Sequence, residues 1–269
     1  MKIQTITSRD NVQVKAIKRL AQTSGSYKEA GQLWLEGEHL CDAFLKTPDK
    51  ISVQLQKVVI SLSAKPYWLA LVESFALQGR VDESCEVIVL SDALFEHISG
   101  LPSSGGVGFV LSLPEQTNAI DKAAHTLVLD RVQDAGNVGS ILRSAAAFGI
   151  TQVLAVQGSA LLWSPKVLRA AMGAHFSLNM VEGLQTHDVQ LDVPMLVTHV
   201  HDGEFLDELQ IRKQIPHPCA WVMGHEGQGV SEALLNKAAK RVKISQVGQE
   251  SLNVAAAAAV CLYASTVGH

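Results

Sequence analysis

Three stretches in the second half of this 269-residue chain repeat one pattern: residues 127–150, 221–235 and 242–266. Each opens with a short apolar run of strand character, crosses a polar loop containing glycine, and continues into a segment of helical character. Strand–loop–helix units in series build a parallel sheet, and their loops gather at the carboxyl ends of the strands, where such sheets bind ligands. The last stretch is the most restrictive. A β-branched run at 242–244 leads into a polar loop that bends at Gly248, and Ser251-Leu252-Asn253 then opens a run of five alanines. Alanine is the best helix former, and five small side chains in a row let a neighbouring backbone come very close. Ser251 and Asn253 stand where the helix leaves its first N–H groups free, a place for caps or for a polar ligand.

Composition narrows the class. The chain is 47% hydrophobic, which indicates a globular protein. No apolar run approaches the ~18 residues of a membrane span, and the N-terminus has no apolar signal-peptide core. Cys41, Cys85, Cys219 and Cys261 are widely spaced within apolar runs, as expected of buried thiols in a reducing cytoplasm rather than disulfides or a zinc site. A net charge of −4 argues against a protein that coats nucleic acid indiscriminately. A local basic patch remains open, because residues 1–28 carry Lys2, Arg9, Lys15, Lys18, Arg19 and Lys28 against Asp10.

Residues 1–113 read as a small α/β unit. An alternating run at 3–7 precedes a helix capped by Ser8, Asp10 or Asn11, whose charged face holds Lys15, Lys18 and Arg19. That face is either solvated or a contact for RNA phosphates. Residues 23–31 read as a loop. Strands are expected at 33–38, 53–61, 86–90 and 106–113, with helices at 39–45, 66–77 and 91–98. The polar stretch 114–124 reads as a linker, and 125–269 as the second domain.

In that domain Asn137 and Gly139 are expected in a loop before a helix over 140–148, closed by Gly149, with Arg143 in its first turn. A cation there opposes the helix dipole at a cost of about 0.5 kcal/mol, which suggests a functional rather than a structural arginine. Ser164-Pro165 starts a helix carrying Lys166 and Arg169, either solvated or touching RNA backbone. His199-x-His201 lacks a third ligand at useful spacing, so no metal is expected. The loop Gly224-His225-Glu226-Gly227-Gln228-Gly229 brings backbone close to a ligand, yet it has neither a P-loop ending nor a dinucleotide fingerprint. Its Glu226 repels phosphate and suits a cation or a ribose hydroxyl. Ser231 is expected to cap a helix that ends in Lys237, Lys240 and Arg241.

Taken in order, Asn137–Gly139–Arg143, Gly-x-Glu-Gly-x-Gly at 224–229 and Ser-Leu-Asn-Val at 251–254 resemble the SpoU family of RNA ribose 2′-O-methyltransferases, in the SPOUT superfamily. The likeness spans roughly residues 125–266. It implies an α/β fold: a SPOUT parallel-sheet domain with a trefoil knot. The Ser-Arg-Asp-Asn start and Glu36-Gly37-Glu38 resemble, more loosely, the L30e-like substrate-binding domain of many SpoU proteins. The resemblance further implies S-adenosylmethionine as cofactor, a structured ribosomal or transfer RNA as substrate and a homodimer. Gly224, Ile244 and Leu252 would line the cofactor pocket, with Thr198 beside the adenine and Asn253 supporting the loops. Arg143 would contact the 2′-hydroxyl, and Asn137, Glu226 and Ser251 would orient Arg143 and the ribose. The family's usual proline is Ala135 here, its Ile-Pro-Met is Ile244-Ser245-Gln246, and its arginine near position 28 is replaced by Tyr27-Lys28. Two other readings compete: a non-catalytic RNA-binding or ribosome-assembly protein retaining the fold, and a nicotinamide dehydrogenase, which the missing fingerprint makes remote.

Overall fold

The computed structural model describes residues 1–47, 53–82, 84–114, 120–200, 202–248 and 251–266. The chain divides into two compact units, Met1–Glu115 with Trp163–Phe176, and Gln116–Leu162 with Ser177–His269. Residues 115–119 of the expected linker lie outside the described residues.

The first unit contains β1 (Lys2–Ile6), α1 (Val12–Gln22), α2 (Ser26–Ala30), β2 (Gln32–Glu36), α3 (Glu38–Lys46), β3 (Leu55–Ser61), α4 (Lys65–Leu77), β4 (Glu86–Leu90), α5 (Asp92–Ile98) and β5 (Val107–Ser112). Its sheet runs β1-β4-β3-β5-β2. The first three strands are parallel, and β5 lies antiparallel to β3 and β2. Asn11 caps α1 by accepting the Gln13 N–H at 2.8 Å. The stretch 23–31, expected to be a loop, holds α2, because the buried Tyr27 ties it to the core. Gly108 on β5 lets Trp34 cross the sheet, since a Cβ there would stand 2.2 Å from the indole ring.

The second unit opens with β6 (Thr126–Asp130), α6 (Ala135–Ala147) and β7 (Gln152–Val156). Then comes α7 (Pro165–Ala171), which belongs to the first unit by its contacts. Phe176 packs edge-on against Phe44 of α3 at 5.4 Å, and Gly173 lies against Ala43. The second unit continues with β8 (Asn179–Leu184), β9 (Met195–Thr198), β10 (Glu204–Phe205), α8 (Leu206–Ile211), β11 (Ala220–Gly224), α9 (Glu232–Leu235), β12 (Lys240–Lys243) and α10 (Val254–Thr266).

Its seven strands are parallel throughout, in the order β10-β12-β9-β11-β6-β7-β8. The physical reason is in the strands themselves. β6, β7 and β11 are buried at every position, as a sheet covered on both faces requires. α10 packs on α6, and its Ala258, Cys261, Leu262, Ala264 and Ser265 are buried. Ser265 Oγ also accepts the buried Trp221 indole N–H at 2.7 Å. The four cysteines are free and buried, and burial pushes the Cys85 thiol up to about 11 and Cys219 to about 12, so they stay protonated.

The order of strands places the site. β6 connects through α6 to β7 on one side, while its neighbour β11 connects through α9 to β12 on the other. The loops after β6 and β11 therefore leave adjacent strands in opposite directions, and a crevice forms at their carboxyl ends.

One expectation fails at the edge of this sheet. The helix expected to carry Lys237, Lys240 and Arg241 stops at Leu235. Lys240 and Arg241 lie on β12, paired in register with Leu196 and Val197 of β9. Their side chains bond Glu204 at 2.7 Å and Asp202 at 2.6 Å. Strand pairing overrides the local helical pattern.

Candidate active site

The loop 225–229 closes on itself. His225 N–H donates to Gly229 O at 3.1 Å and Gly229 N–H returns to His225 O at 2.9 Å. The His225 ring completes the turn, its Nδ1 accepting the N–H groups of Gly227 at 2.9 Å and Gln228 at 3.2 Å. At the base of the loop, Gly224 has no room for a side chain: a Cβ would stand 2.3 Å from the Gly229 carbonyl carbon and the Val230 nitrogen. The turn holds Glu226 out at its tip.

Glu226 clamps the loop after β6. Its Oε1 accepts the Asp134 N–H at 3.2 Å and the Asn137 amide at 3.1 Å, and its Oε2 accepts the Gln133 N–H at 3.3 Å. Partial burial raises the carboxyl's pKa, but the hydrogen bond from Asn137 and those from backbone N–H groups outweigh it, leaving Glu226 below the ordinary glutamate value. Asn137 Oδ1 in turn accepts the Asn253 amide at 3.0 Å. Asn253 caps α10, accepting the Ala255 N–H at 2.8 Å. One chain of side chains thus joins all three sequence motifs.

A second tether stands beside it. Asp130, fully buried at the end of β6, accepts the Ser231 N–H at 2.5 Å and the Arg131 Nε–H at 3.2 Å. Arg131 reaches across to Gln228 Oε1 at 2.9 Å and Gly229 O at 3.2 Å. Its backbone is left-handed, with φ +61°, an uncommon conformation for a side chain of this size. Sequence reasoning missed Asp130, Arg131 and His225. Their partners lie about a hundred residues away or depend on a turn geometry that no spacing rule encodes.

The start of α6 differs from the sequence expectation. The helix begins at Ala135 rather than Ser140, because Asp134 is its N-cap and accepts the Asn137 N–H at 2.7 Å. Asn137 and Gly139 are therefore helical, and Arg143 lies in the third turn, beyond the reach of the end dipole. The helix dipole therefore gives Arg143 no penalty to explain. A different observation replaces it: Arg143 is exposed, with no hydrogen bond or ion pair to any described residue. It shares a helix face with Gly136, Gly139 and Ser140, at spacings of seven, four and three.

Ser251 and Leu252 are exposed just before the Asn253 cap, and Ser251 bonds to no described residue. Ile244 follows β12 half-buried. Thr198 ends β9, and its hydroxyl donates to Val222 O at 3.0 Å. The structure thus unites Asn137, Glu226 and Asn253, places Gly224, Thr198 and Ile244 at the carboxyl ends of β11, β9 and β12, and leaves Ser251 and Leu252 immediately before α10. Of the cationic candidates, Lys15 pairs with Asp10 at 2.9 Å, Arg19 pairs with Glu29, and Lys18 lies 3.1 Å from His97 Nε2. Lys166 is exposed on α7, and Arg169 stands 3.9 Å from Glu36. His201 lies outside the described residues, while His199 Nδ1 accepts the Asp202 N–H at 2.9 Å. Among the described residues no group of three or more His, Cys, Asp or Glu is placed to hold a metal.

The turn makes a testable demand on His225. An asparagine Oδ1 can accept the same two N–H groups, whereas alanine cannot. His225→Asn is expected to keep activity within about threefold, and His225→Ala to lose about 30-fold, the two unmet N–H groups costing ~1 kcal/mol each. Steady-state rates of the two variants check this, and equal activity would show the ring is dispensable.

Residues 124–263 match the model of the SpoU rRNA Methylase family. The Bacillus subtilis (strain 168) 23S rRNA (guanosine(2553)-2′-O)-methyltransferase is 29% identical over 263 residues, covering 96% of this chain and 97% of that protein. The crystal structure of an RNA 2′-O ribose methyltransferase superposes with a TM-score of 0.76 at 25% identity, over 97% of this chain and 98% of that one. An AdoMet-bound rRNA methyltransferase from Sinorhizobium meliloti shares the fold, with a TM-score of 0.80 at 23% identity over 98% and 97% of the two chains. With its three motifs joined at one crevice and more than half its length matching the family model, the chain belongs to the SpoU rRNA Methylase family.

Proposed function

We infer that this protein methylates a ribose 2′-hydroxyl of RNA with S-adenosylmethionine as methyl donor, and that its substrate is ribosomal RNA, as in the Bacillus subtilis relative. The observation that carries the reading is the Glu226–Asn137–Asn253 chain, which locks three loops together, with Arg143 exposed on the same helix as Asn137 and bonded to no described residue.

The residues present fit the cofactor. Between β12 and α10, residues 244–248 and 251–253 form neither helix nor strand, and Leu252 and Val247 stay exposed. Val200, just beyond β9, is exposed as well. Apolar side chains left uncovered at one end of a sheet suit an adenosine, and the acidic Glu226 loop suits a cation rather than a phosphate. Gly224, Ile244 and Leu252 would hold it, with Thr198 beside the adenine. Bound there, it would supply a methyl group on a sulfonium. The family's trefoil knot is part of this reading.

The chain's own residues must position the hydroxyl and stabilise the charge it develops. Arginine is fixed as a cation, so Arg143 serves as a donor to the forming alkoxide or its neighbouring phosphate rather than as a true base. Glu226 has both oxygens engaged, so it orients rather than accepts a proton. Asn137 and Ser251 complete the wall that holds the ribose. Lys15, Lys18, Arg19, Lys166 and Arg169 contact the RNA, and residues 1–113 form the substrate-binding domain. We further propose a homodimer acting in the cytoplasm. α10 leaves Ala256, Val260 and Tyr263 exposed along one stripe, 41% for Val260 and 56% for Tyr263, which a second copy would cover.

Calorimetric titration with S-adenosylmethionine, followed by mapping of 2′-O-methyl marks in cells lacking the protein, tests the reading. Saturable binding and one lost ribosomal mark are expected. Absence of both would turn the reading to a non-catalytic RNA-binding protein.

A further inference from the structure

A cleft of about 460 Å³ in the first unit, with no residue of the three motif loops in its lining, lies between the end of α1, the loop after α5 and the start of α7. Its polar lining is Gln22, Ser24, Ser99, Lys166 and Arg169, and Leu101, Pro102 and Pro165 supply apolar wall. Lys166 and Arg169 sit three apart on α7, so they share one face.

The cations are set in an unusual way. Glu36 is buried beneath the cleft, its side chain 1% exposed. Its oxygens are taken by the Ser99 hydroxyl, by the Gly100 N–H at 3.1 Å to each, and by the Trp34 indole at 3.3 Å. Arg169 Nη1 stands 3.9 Å from it, held by charge, and makes no hydrogen bond. Gly100 leaves the room for this: a Cβ there would lie 3.0 Å from Nη1. The guanidinium is fixed by a carboxylate that is already saturated, and 24% of the Arg169 side chain remains exposed. Lys166 is exposed and bonds to no described residue. Two cations on one helix face, the exposed Ser24 hydroxyl beside them and an apolar wall suit a phosphate carrying a ribose.

Resting on the reading of RNA as substrate, we propose that this cleft seats a phosphodiester unit of the RNA strand. A strand rather than a free nucleotide is favoured by α1, which carries Lys15, Lys18 and Arg19 and ends at the cleft with Ala21 and Gln22. Successive phosphates can follow that line of charge.

The test uses the full chain, a fluorescently labelled short oligouridylate and anisotropy across a range of salt. Lys166→Glu is the main variant, because its side chain is exposed and its loss leaves the core intact. Arg169→Gln is the second, with circular dichroism to confirm folding. Lys122→Glu, the same charge change on the surface of the second unit, is the control. Lys166→Glu is expected to weaken binding about fivefold and to reduce the slope of log affinity against log salt by about 0.7, one single-strand phosphate contact. Native affinity and slope in Lys166→Glu would overturn the proposal, as would an equal loss in Lys122→Glu. Displacement of the oligonucleotide by inorganic phosphate alone at comparable concentration would assign the cleft to a free anion and overturn it too. Calorimetric titration of the same samples with S-adenosylmethionine separates the two readings: failure there sinks the methyltransferase, while a null result with Lys166→Glu sinks only the cleft.

Discussion

Replacing Arg143 with alanine is expected to lower the rate of methyl transfer by about 10²-fold, the cost of removing one preorganised donor to a developing oxyanion. Cofactor binding should stay within twofold or so, because the exposed side chain holds no loop in place. Thermal stability should be unchanged for the same reason. The three readouts together are diagnostic. A structural arginine would lose stability along with rate, and a cofactor ligand would lose affinity along with rate. Arg143→Lys keeps the charge but not the planar fork, so it should fall between the two extremes. A rate loss below about tenfold in Arg143→Ala would remove this side chain from the chemistry and return attention to the clamp beside it.

The clamp gives the second large effect. Glu226→Ala removes the acceptor of the Gln133 and Asp134 N–H groups and of the Asn137 amide at one stroke. The loop after β6 then loses its tie to the loop after β11, and Asn137 loses the partner that aims its other end at Asn253. A fall of about 10-fold to 10²-fold in kcat/KM is expected, with the amides of Gln133, Asp134 and Asn137 gaining hydrogen exchange. Unchanged exchange at those amides would show that the clamp is not needed. The pH dependence follows from the lowered pKa. A carboxyl whose folded value lies below its unfolded one contributes fully above the unfolded value, 4.5, and loses that contribution as pH falls through the folded value. Glu226 should therefore stay ionised down to about pH 5, and an activity decline above that pH must come from another group. Chemical-shift titration of the Glu226 carboxyl checks this, and an apparent value above 4.5 would contradict the geometry.

How much was readable in advance varies by element. The strands β6, β7 and β11 announced themselves as continuous apolar runs, since a strand buried on both faces has no polar side to show. The motif residues Asn137, Glu226 and Asn253 were legible through the family resemblance their motifs carry, and α10 by its alanines. The start of α6 was misread because Asn137 and Gly139 look like loop residues, whereas Asp134 sits earlier and caps. The segment around α7 is adjacent in sequence to the second unit yet packs with the first, through Phe176 on Phe44 and Arg169 near Glu36. Local pattern carries no information about which of two cores an amphipathic segment will join.

The same division holds for the whole molecule. The sequence by itself determined the parallel α/β class, the three loops and the chemical character of their side chains, because those depend on periodicity, propensity and residue type. Only the tertiary structure decided that β6 and β11 are neighbours whose loops depart in opposite directions, that Glu226 is a clamp with both oxygens engaged, and that Arg131 and His225 hold the loops in shape. These are contacts between residues far apart in the chain, or turns set by backbone angles. They exist only once the strand order is fixed, and burial of the whole sheet fixes that order.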